Sequence, residues 1–543
     1  MTRTSRAIRI PAPARRNTAF RRGRSLAATV VAGVLLAGCG GGSDTPPTPG
    51  GTPKQGGSLT MTVPGDAASF DPAQTSFVAA ADGNRMSAVY DALVVTDPAT
   101  GTVQPQIAER LAPDGNNMLQ WNLTIKPNVT FSDGAPYDAN AVMANWDRHR
   151  NPTIQSFQSM AAMNIKSLTV DPADPLLLHI ALNTANANFD RIVARNLSFI
   201  ASPKALADPG KLKDHPVGAG PFMLKEWVPG QKQVFTKNPN YWQKDKGLPY
   251  LDEIVINVDM DVKRGVESLG KSSDLMVTVD PANIGLGKSN GLGVEEIHLN
   301  GGAMVLFNNL KGPFTDVRAR QAVAYALSGS EINDKFYNGA GTPAKGIFGS
   351  ASPLANNQLS APENNADKAK ELFDQVTKNG TKPLQFTYIT PSAPTTVDVA
   401  RFIQQKLSTY RGVEMKIQQV DIPTYIRTVR KNGDGWTAAV GQQWIDDPEP
   451  GIYDLLHGGP LAFGNSAGYD NVTVNKALEE ARLTTDTGER RDAYTRVQTQ
   501  LNEDMPFWVY QEAVSAALFT PKVTGLQLFN DGLVRWELIG LHK

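Results

Sequence analysis

Cysteine is almost absent from this chain, with one residue, Cys39, among 543. A single thiol cannot form a disulfide within the chain, and it cannot build a cysteine-rich metal site. Histidine is also scarce: the six histidines stand singly, and no two lie three or four residues apart, as zinc-binding pairs on a helix do. We therefore predict a protein without a structural disulfide, a metal or another cofactor.

Positive charge is in deficit over the body of the chain. The first 38 residues contain eight arginines and no acid, which leaves 45 basic against 53 acidic residues in the remainder. A nucleic-acid-binding surface needs a basic field to attract phosphates, so we expect no nucleic acid among the partners. With 41% hydrophobic and 20% charged residues, the composition is that of a globular protein of several domains.

The apolar run that follows the arginines, residues 26–37, is only twelve residues long. As a helix it would rise about 18 Å, short of the roughly 30 Å of a membrane's hydrocarbon core, so it predicts a secretory signal and not a membrane span. It runs into Leu36-Ala37-Gly38-Cys39, which resembles a bacterial lipobox, the motif whose cysteine receives a lipid before the signal is cut in front of it. We predict a signal peptide over residues 1–38 and lipidation of Cys39, hence an extracytoplasmic protein anchored on a membrane.

Residues 39–56 contain two charges and no apolar side chain larger than proline. Such a segment has nothing to bury, so we predict a flexible tether. Order is expected to begin at Gly57, where Leu59, Met61 and Val63 alternate with small polar residues as in a half-buried strand.

The body combines strand and helix patterns. Asp138 and Asp316 stand where helix caps are expected, and Pro229-Gly230 predicts a hairpin turn between "FMLKEWV" and "QKQVFTKN". Further along the chain, a helix, a strand, a helix and a strand are predicted in turn over "DKAKELFDQVTKNG", "LQFTYIT", "VDVARFIQQKL" and "VEMKIQQV". This order is typical of an α/β fold with a layered sheet.

The stretch "GLGKSNG", residues 285–291, has the Gly-x-Ser-x-Gly spacing of a hydrolase nucleophile around Ser289. That motif needs a strand that leads straight in and a helix that follows. Pro281 and Gly293 flank the stretch instead, so we predict a flexible loop. A secreted hydrolase that uses Ser289, or a pair of acidic residues described next, is kept as a remote alternative.

The heptapeptide "WIDDPEP", residues 444–450, holds Asp446, Asp447 and Glu449 beside a tryptophan. Paired carboxylates can perform acid–base catalysis. Adjacent acidic residues on a proline-rich turn more often form a solvated corner. A third interpretation is ligand recognition, in which the indole face and a carboxylate meet an amine or another hydrogen-bond donor.

Six segments in order carry a resemblance to a known family. They are "YDALVVTDPATGTVQPQIAERL", "VTFSDGAPYDANAV", "VGAGPFMLKEWVPGQKQVFTKNPNYW", "PYLDEIVI", "NNLKGPFTDVRARQAVAYAL" and "GERRDAYTRVQTQLNEDMPFWVYQE". The chain resembles an extracytoplasmic solute-binding protein of an ATP-binding-cassette importer, from family 5, which includes dipeptide-, oligopeptide- and nickel-binding members. The resemblance runs from about Gly57 to Lys543.

This resemblance implies an α/β, two-lobed periplasmic-binding-protein-like fold in which crossing strands join the lobes and the lobes close on a solute. The implied parts are lobe 1 over residues 57–299 with an inserted subdomain at about 85–215, lobe 2 over 300–515, and a return to lobe 1 over 516–543. Closure would be a hinge motion driven by ligand contacts from both lobes.

The implied partners are a small-molecule ligand, short peptides first, and the permease and ATPase subunits of the importer. We expect a monomer that is not an enzyme. A sugar, a metal chelate or another small molecule is the alternative ligand.

In peptide-binding relatives an aspartate four residues before a proline pairs with the peptide's amino terminus. The residue four before Pro448 is Trp444, and Asp446 lies only two before it. Either Asp446 or Asp447 takes the ammonium from a shifted backbone, or the ligand has no free α-amine. The expected cleft-lining residues are Phe70, Asn308, Trp436, Trp444, Asp446 and Asp447.

Overall fold

The computed structural model of the chain describes residues 52–429, 435–458 and 464–542. The predicted signal peptide, Cys39 and most of the predicted tether lie outside these described residues. Across the three described ranges, no helix is both long and apolar enough to cross a membrane.

The strands of the described chain are numbered in sequence order. They are β1 (Ser58–Val63), β2 (Val94–Thr96), β3 (Val103–Pro105), β4 (Ala108–Asp114), β5 (Asn117–Ile125), β6 (Ile165–Val170), β7 (Leu177–Leu182), β8 (Phe222–Val228), β9 (Lys232–Lys237), β10 (Glu253–Val258), β11 (Leu275–Thr278), β12 (Gly293–Phe307), β13 (Leu384–Pro391), β14 (Val413–Val420), β15 (Ala438–Ile445), β16 (Phe507–Phe519), β17 (Val523–Thr524), β18 (Leu528–Phe529), β19 (Leu533–Val534) and β20 (Gly540–Leu541).

The α-helices are numbered in the same way. They are α1 (Gly83–Tyr90), α2 (Ala139–Arg150), α3 (Ser159–Ala162), α4 (Phe189–Ile192), α5 (Pro203–Leu206), α6 (Val262–Ser268), α7 (Pro281–Ser289), α8 (Val317–Ala326), α9 (Gly329–Phe336), α10 (Ala366–Val376), α11 (Pro394–Leu407), α12 (Ile422–Val429), α13 (Pro448–Leu456), α14 (Val472–Arg482) and α15 (Thr487–Asp504). A π-helical turn, Val193–Leu197, continues α4, and 3₁₀ turns occur at Pro209–Lys213, Lys244–Lys246 and Pro313–Thr315.

Local sequence signals placed many of these elements correctly. The predicted caps are confirmed, because Asp138 accepts a hydrogen bond from the backbone N–H of Ala141 and Asp316 accepts one from that of Arg318. The predicted run of helix, strand, helix and strand is α10, β13, α11 and β14. The predicted hairpin is β8 with β9.

The loop predicted around Ser289 is wrong, since these residues belong to α7. Asp280 caps the helix through a hydrogen bond from the N–H of Ala282, and Pro281 occupies the first turn, where a missing N–H costs nothing. Pro281 therefore starts a helix and does not exclude one. The hydroxyl of Ser289 donates to the carbonyl oxygen of Leu286 in the last helical turn, at 2.9 Å.

One ten-stranded mixed sheet runs through the molecule in the order β14-β13-β15-β12-β16-β11-β1-β10-β9-β8. Its two longest strands, β12 with 15 residues and β16 with 13, pair antiparallel to each other. At one end β16 pairs with β11, and at the other end β12 pairs with β15. These two strands therefore connect the two halves of the sheet, and the predicted lobe boundaries at 299/300 and 515/516 fall within them.

The pairing of β12 with β16 is interrupted at a bulge. Its register shifts between Leu299 and Ala303, where Gly301 has φ 93° and Gly302 has φ 125°. A Cβ on Gly302 would lie 1.9 Å from the carbonyl oxygen of Gln511. Only glycine fits this backbone, and a bulge is where a strand can bend.

Three regions have cores of their own, and we name them by their residues. The first lobe is built on β1, α1, β8–β11 and the returning segment 516–542, around Phe70, Tyr90 and Trp536. The small subdomain, residues 93–219, packs the four-stranded sheet β4-β5-β7-β6 around Trp146. The second lobe, residues 303–510, has two cores, one around Trp508 and one around Phe348 and Tyr494.

The predicted tether extends too far toward the body. Lys54 forms an antiparallel bridge with Leu541, and the N–H of Gly56 donates to the carbonyl oxygen of Tyr250 at 2.8 Å. Backbone hydrogen bonds hold these residues on the first lobe, and such bonds need no apolar side chain. The composition of the segment therefore gave no sign of them.

Candidate ligand-binding site between the lobes

A cavity of about 600 Å³ lies between the lobes; we call it the wide cleft. Its lining comes from β2 with the turn after it, from β12, from residues 351–354, from the start of α13 and from the returning segment. Small-molecule sites usually have volumes of roughly 300–1,000 Å³. The wide cleft is therefore large enough for a small solute.

A second cavity, of about 150 Å³, lies beside the wide cleft; we call it the side pocket. It is lined by Ser76, Phe77, Val78, Phe157, Gln158, Arg195, Asn196, Asn530 and Asp531. The N–H of Thr96, from the wide cleft, donates to the side-chain oxygen of Asn530 at 2.8 Å. The linings of the two cavities therefore meet at Thr96 and Asn530.

Arg195, in the π-helical turn of the subdomain, reaches across to the second lobe. One terminal nitrogen of its guanidinium donates to Asp446 Oδ1 at 2.8 Å, and the other donates to the carbonyl oxygen of Trp444 at 2.7 Å. Burial acts to lower the pKa of Arg195, but the carboxylates of Asp446, Asp531 and Asp454 together outweigh burial, and the pKa is raised. The ion pair between Arg195 and Asp446 thus holds the subdomain against the second lobe.

The carboxylate of Asp447 is bound by other groups of the same chain. Its carboxylate caps α13 by accepting from the N–H of Glu449 at 2.9 Å, and it pairs with Arg490 and with Arg191, the latter at 3.2 Å. Burial alone would raise the pKa of Asp447, but Arg490 and Arg191 together hold it below its ordinary value. The carboxylate is therefore charged and internally paired.

Glu449 forms further contacts between the subdomain and the second lobe, and it is almost completely buried. Its carboxylate accepts from Arg482 at 3.2 Å and from the side-chain amide of Asn186 at 3.1 Å. The N–H of Ala187 donates to the carbonyl oxygen of Arg482 at 2.8 Å. We call the contacts of residues 186–195 with residues 444–449 and 482–490 the interlobe clamp. The solvated corner expected for "WIDDPEP" is thus wrong, because another part of the chain covers it.

Asp531, on the returning segment, is the acidic residue of the side pocket. It is 3% exposed and accepts from the N–H of Ala79 at 3.2 Å. Within the described chain it forms no ion pair. Burial raises its pKa to about 6, with Arg195 opposing the rise and Asp446 adding to it. At pH 7.5 the carboxylate therefore still carries most of its negative charge.

Three of the six expected lining residues lie in the interior. Phe70 is fully buried against Trp227 and Phe235 in the first-lobe core. Asn308 is also fully buried, and its side-chain amide donates to the carbonyl oxygen of Trp436, at 2.9 Å. Trp436 is 4% exposed and belongs to a second-lobe core. In the structure these side chains support the lobes and line neither the wide cleft nor the side pocket.

The other three expected residues lie together at the interface. Asp446 and Asp447 line the wide cleft. Trp444 is half-buried against a small apolar cluster that contains Ile297 and Leu299 of β12. The structure therefore brings the tryptophan and both carboxylates next to the cleft, but it gives each carboxylate an arginine from the chain itself.

Neither the arginine partners of Asp446 and Asp447 nor Asp531 could be recognised from a local sequence pattern. Arg195 and Asp446 are separated by 251 residues, and only folding brings them together. Asp531 lies in a short segment, "FNDG", that resembles an ordinary turn. Within the described residues, no group of three or more His, Cys, Asp and Glu side chains is placed to hold a metal ion.

Two α/β lobes joined by long crossing strands, with a solute-sized cavity between them, define the class of two-lobed binding proteins. The family model described as "Bacterial extracellular solute-binding proteins, family 5 Middle" matches residues 102–462. The chain belongs to this family of solute-binding proteins of ATP-binding-cassette importers.

Named relatives agree with this assignment. The chain is 27% identical over 433 residues to glutathione-binding protein GsiB of Salmonella paratyphi A, with 76% of this chain and 81% of that protein covered. It is 25% identical over 469 residues to heme-binding protein A of Haemophilus influenzae, with 80% and 84% covered. Both of these relatives are named as binding proteins and not as enzymes.

A solved structure supports the fold. The oligopeptide-binding protein AppA of Bacillus subtilis, in complex with a nonapeptide, superposes with a TM-score of 0.77 at 22% identity. The match covers 91% of this chain and all of that chain. At this identity the likeness establishes the two-lobed fold, while the ligand has to be inferred from the residues of the site.

Proposed function

We propose that this chain is a lipid-anchored extracytoplasmic receptor that captures a small solute, short peptides first, and delivers it to the permease of an ATP-binding-cassette importer. The observation that carries the proposal is the wide cleft of about 600 Å³ between two lobes that β12 and β16 connect. The family assignment supports the transport role. The anchor rests on the lipobox-like residues that end at Cys39.

In the proposed mechanism the two lobes close on the solute, and no covalent bond is formed or broken. A solute in the wide cleft contacts β2 and the returning segment on one side and the start of α13 on the other. Contacts from both sides exist only when the lobes are closed, so solute binding shifts the population toward the closed form. The closed form is then the one that the permease recognises.

The paired carboxylates bear on the type of ligand. Asp446 and Asp447 each have an arginine partner, so an incoming ammonium would have to displace a guanidinium to reach either. A non-peptide solute, or a peptide whose amine is met elsewhere, avoids that cost. A sugar or a metal chelate therefore remains the alternative to short peptides.

Ligand screening by thermal unfolding tests the receptor assignment. The purified protein is mixed with di- and tripeptides, glutathione, heme, a nickel–histidine complex and sugars. A solute at a hundred times its dissociation constant adds about 2.7 kcal/mol to the free energy of unfolding, so the melting temperature rises. A shift with sugars or chelates but with no peptide would contradict the peptide assignment, and a lack of any shift would contradict the receptor function.

Two matched variants locate the binding site. Ala99 and Ala173 are both exposed in Asp-Pro-Ala turns, in which the alanine N–H donates to the aspartate. Ala99 lines the wide cleft. We expect Ala99→Trp to lower the affinity for the identified solute at least tenfold because the indole fills the cleft, and Ala173→Trp to leave it unchanged. Equal affinities of the two variants would contradict a site in the wide cleft.

The anchor has its own test. Mass spectrometry of the membrane fraction is expected to find a mature chain that begins at a diacylglycerol-modified Cys39. A Cys39→Ser variant is expected to lose both the modification and the cleavage in front of residue 39. A water-soluble wild-type product with a free thiol at Cys39 would refute the anchor and leave the solute-binding assignment intact.

A further inference from the structure

Asp531 has no function in the fold that accounts for its charge. Its carboxylate is buried at the surface of the side pocket, and its described hydrogen-bond partners are uncharged backbone N–H groups, those of Ala79 and of Asp531 itself. A buried carboxylate without a positive partner is costly, so proteins that retain one usually use it. A neutral side chain of the same shape would make the same hydrogen bond without that cost.

The cationic group that acts on Asp531 is the guanidinium of Arg195, and it already has hydrogen-bond partners elsewhere. Both terminal nitrogens of Arg195 donate to the second lobe, one to Asp446 and one to the carbonyl oxygen of Trp444. Three carboxylates, those of Asp446, Asp531 and Asp454, raise the pKa of this one guanidinium. The single positive charge of Arg195 therefore does not balance the acidic groups around it, and Asp531 is the one of these that borders the side pocket.

The other walls of the side pocket suit a cationic group. Phe77 and Phe157 contribute aromatic side chains, and Phe157 is 52% exposed, so its ring can be reached by a ligand. A cation gains energy both from a carboxylate and from the face of an aromatic ring. A cavity of about 150 Å³ holds a group of roughly the size of benzene, which is larger than an ammonium or a guanidinium.

We propose that Asp531 is a specificity-determining residue that binds a positively charged group of the solute, an ammonium or a guanidinium, in the side pocket. This inference rests on the proposed function as a solute receptor. Asp446 and Asp447 then hold the lobes together through arginines, and the carboxylate that meets the ligand comes from the first lobe. The group can be the amino terminus of a peptide or a basic side chain.

Three tripeptides that differ in charge test the proposal by calorimetry at pH 7.5. Trialanine carries an α-ammonium, N-acetyl-alanyl-lysyl-alanine carries only a side-chain ammonium, and N-acetyl-trialanine carries neither. The wild-type protein is expected to bind at least one of the two cationic tripeptides at least tenfold more tightly than the neutral one. Which of the two binds tells the amino terminus from the side chain.

Asp531→Asn is the informative variant, because asparagine keeps an oxygen for the N–H of Ala79. Its affinity for the preferred cationic tripeptide is expected to fall at least tenfold, while its affinity for N-acetyl-trialanine changes less than threefold. Asp171→Asn is the matched control: Asp171 lines neither the wide cleft nor the side pocket, it holds the N–H of Ala173, and its loss removes the same charge. It is expected to change no affinity by more than threefold.

The outcomes separate this inference from the receptor function. If all three tripeptides bind the wild type and Asp531→Asn equally well, the receptor function stands and the role of Asp531 is refuted. Tighter binding of the neutral tripeptide also refutes it. Binding of none of the three refutes the cationic-peptide site together with the peptide assignment. A melting temperature of Asp531→Asn at or above that of the wild type shows that the variant folds.

Discussion

Asp447 and Asp531 are both buried carboxylates, but their surroundings are opposite. Asp447 has two guanidinium groups and a backbone N–H, and together they lower its pKa in spite of burial. Asp531 lies where burial dominates, and its pKa rises to about 6. By linkage, a lowered pKa stabilises the folded state above the unfolded-state value, whereas a raised pKa gives stability that is lost as the pH increases.

Asp531→Asn is expected to stabilise the protein at neutral pH. In the folded wild type the pKa rises from 3.8 to about 6, so stability that is present below pH 3.8 is lost as the pH rises through 6. The loss amounts to about 3 kcal/mol at 1.36 kcal/mol per pKa unit. Relative to the wild type, the variant's free energy of unfolding in urea should therefore increase by about that amount between pH 4 and 7.5. If the difference in free energy of unfolding between variant and wild type does not change with pH, the charge assigned to Asp531 is contradicted.

Asp447→Asn makes the same substitution at a carboxylate whose pKa is lowered, and we expect it to destabilise the protein. It leaves Arg490 and Arg191 without their carboxylate, and a broken buried ion pair costs about 3 kcal/mol or more. We expect a loss of that order at pH 7.5. The loss should shrink on acidification, because the wild-type carboxylate is itself protonated as the pH falls through its lowered pKa. Urea unfolding at several pH values measures the loss in the free energy of unfolding and its dependence on pH. A loss that grows toward low pH would contradict the ion pairs of Asp447 with Arg490 and Arg191.

The sequence identified the acidic cluster but not its environment. "WIDDPEP" shows its carboxylates, and proximity along the chain is enough to notice them. Their burial depends on residues 186–195, which lie some 250 positions earlier. No local pattern carries such a contact, so the solvated corner was the natural expectation and the arginine partners could not be inferred.

At the scale of elements, the strands were easier to predict than their irregularities. β1, β13 and β14 follow from hydrophobic alternation, because each has its own pattern. The bulge in β12 depends on two glycines whose function becomes visible only when β16 and β15 lie on either side. A Cβ on Gly301 would approach the carbonyl oxygen of Gln443 to 2.5 Å, and one on Gly302 would approach Gln511 still more closely.

Gly302→Ala is expected to destabilise the protein by about 3 kcal/mol or more, because the Cβ would collide with the backbone of β16 in addition to the strained φ. Gly291→Ala is the control: φ is 72° there, but no atom lies within 4 Å of the new Cβ. It should cost about 1 kcal/mol. Chemical denaturation of both variants measures the difference, and equal costs would contradict close packing at the bulge.

At the scale of the whole molecule, the interlobe clamp holds together parts of the chain that are far apart in sequence. Two of its ion pairs, Arg195 with Asp446 and Arg191 with Asp447, join the subdomain to the second lobe.

Six recognisable segments predicted the two-lobed fold, because a family preserves the segments that pack the lobes. The extent of closure was not predictable, since it depends on pairs between distant residues. The exact lobe boundaries stay a prediction.

A double variant, Arg191→Ala with Arg195→Ala, is expected to open the lobes. In the closed form it would leave Asp446 buried without a partner, which disfavours closure by roughly 3 kcal/mol or about a hundredfold. Small-angle X-ray scattering should show a larger radius of gyration than in the wild type. Arg318→Ala, which breaks an exposed pair with Asp316, should not change it. An unchanged radius in the double variant would contradict the function of the clamp.

If Cys39 carries the proposed lipid, the bridge between Lys54 and Leu541 is where a pull from the membrane would act on the folded body. On the proposed attachment at Cys39, the intervening fourteen residues reach at most about 50 Å when fully extended. Tension in that segment would act on the first lobe alone, since Gly56 is also bonded there. The first lobe would then be the stationary part, and the second lobe would move relative to the membrane. A permease that senses closure would have to detect the displacement of the second lobe.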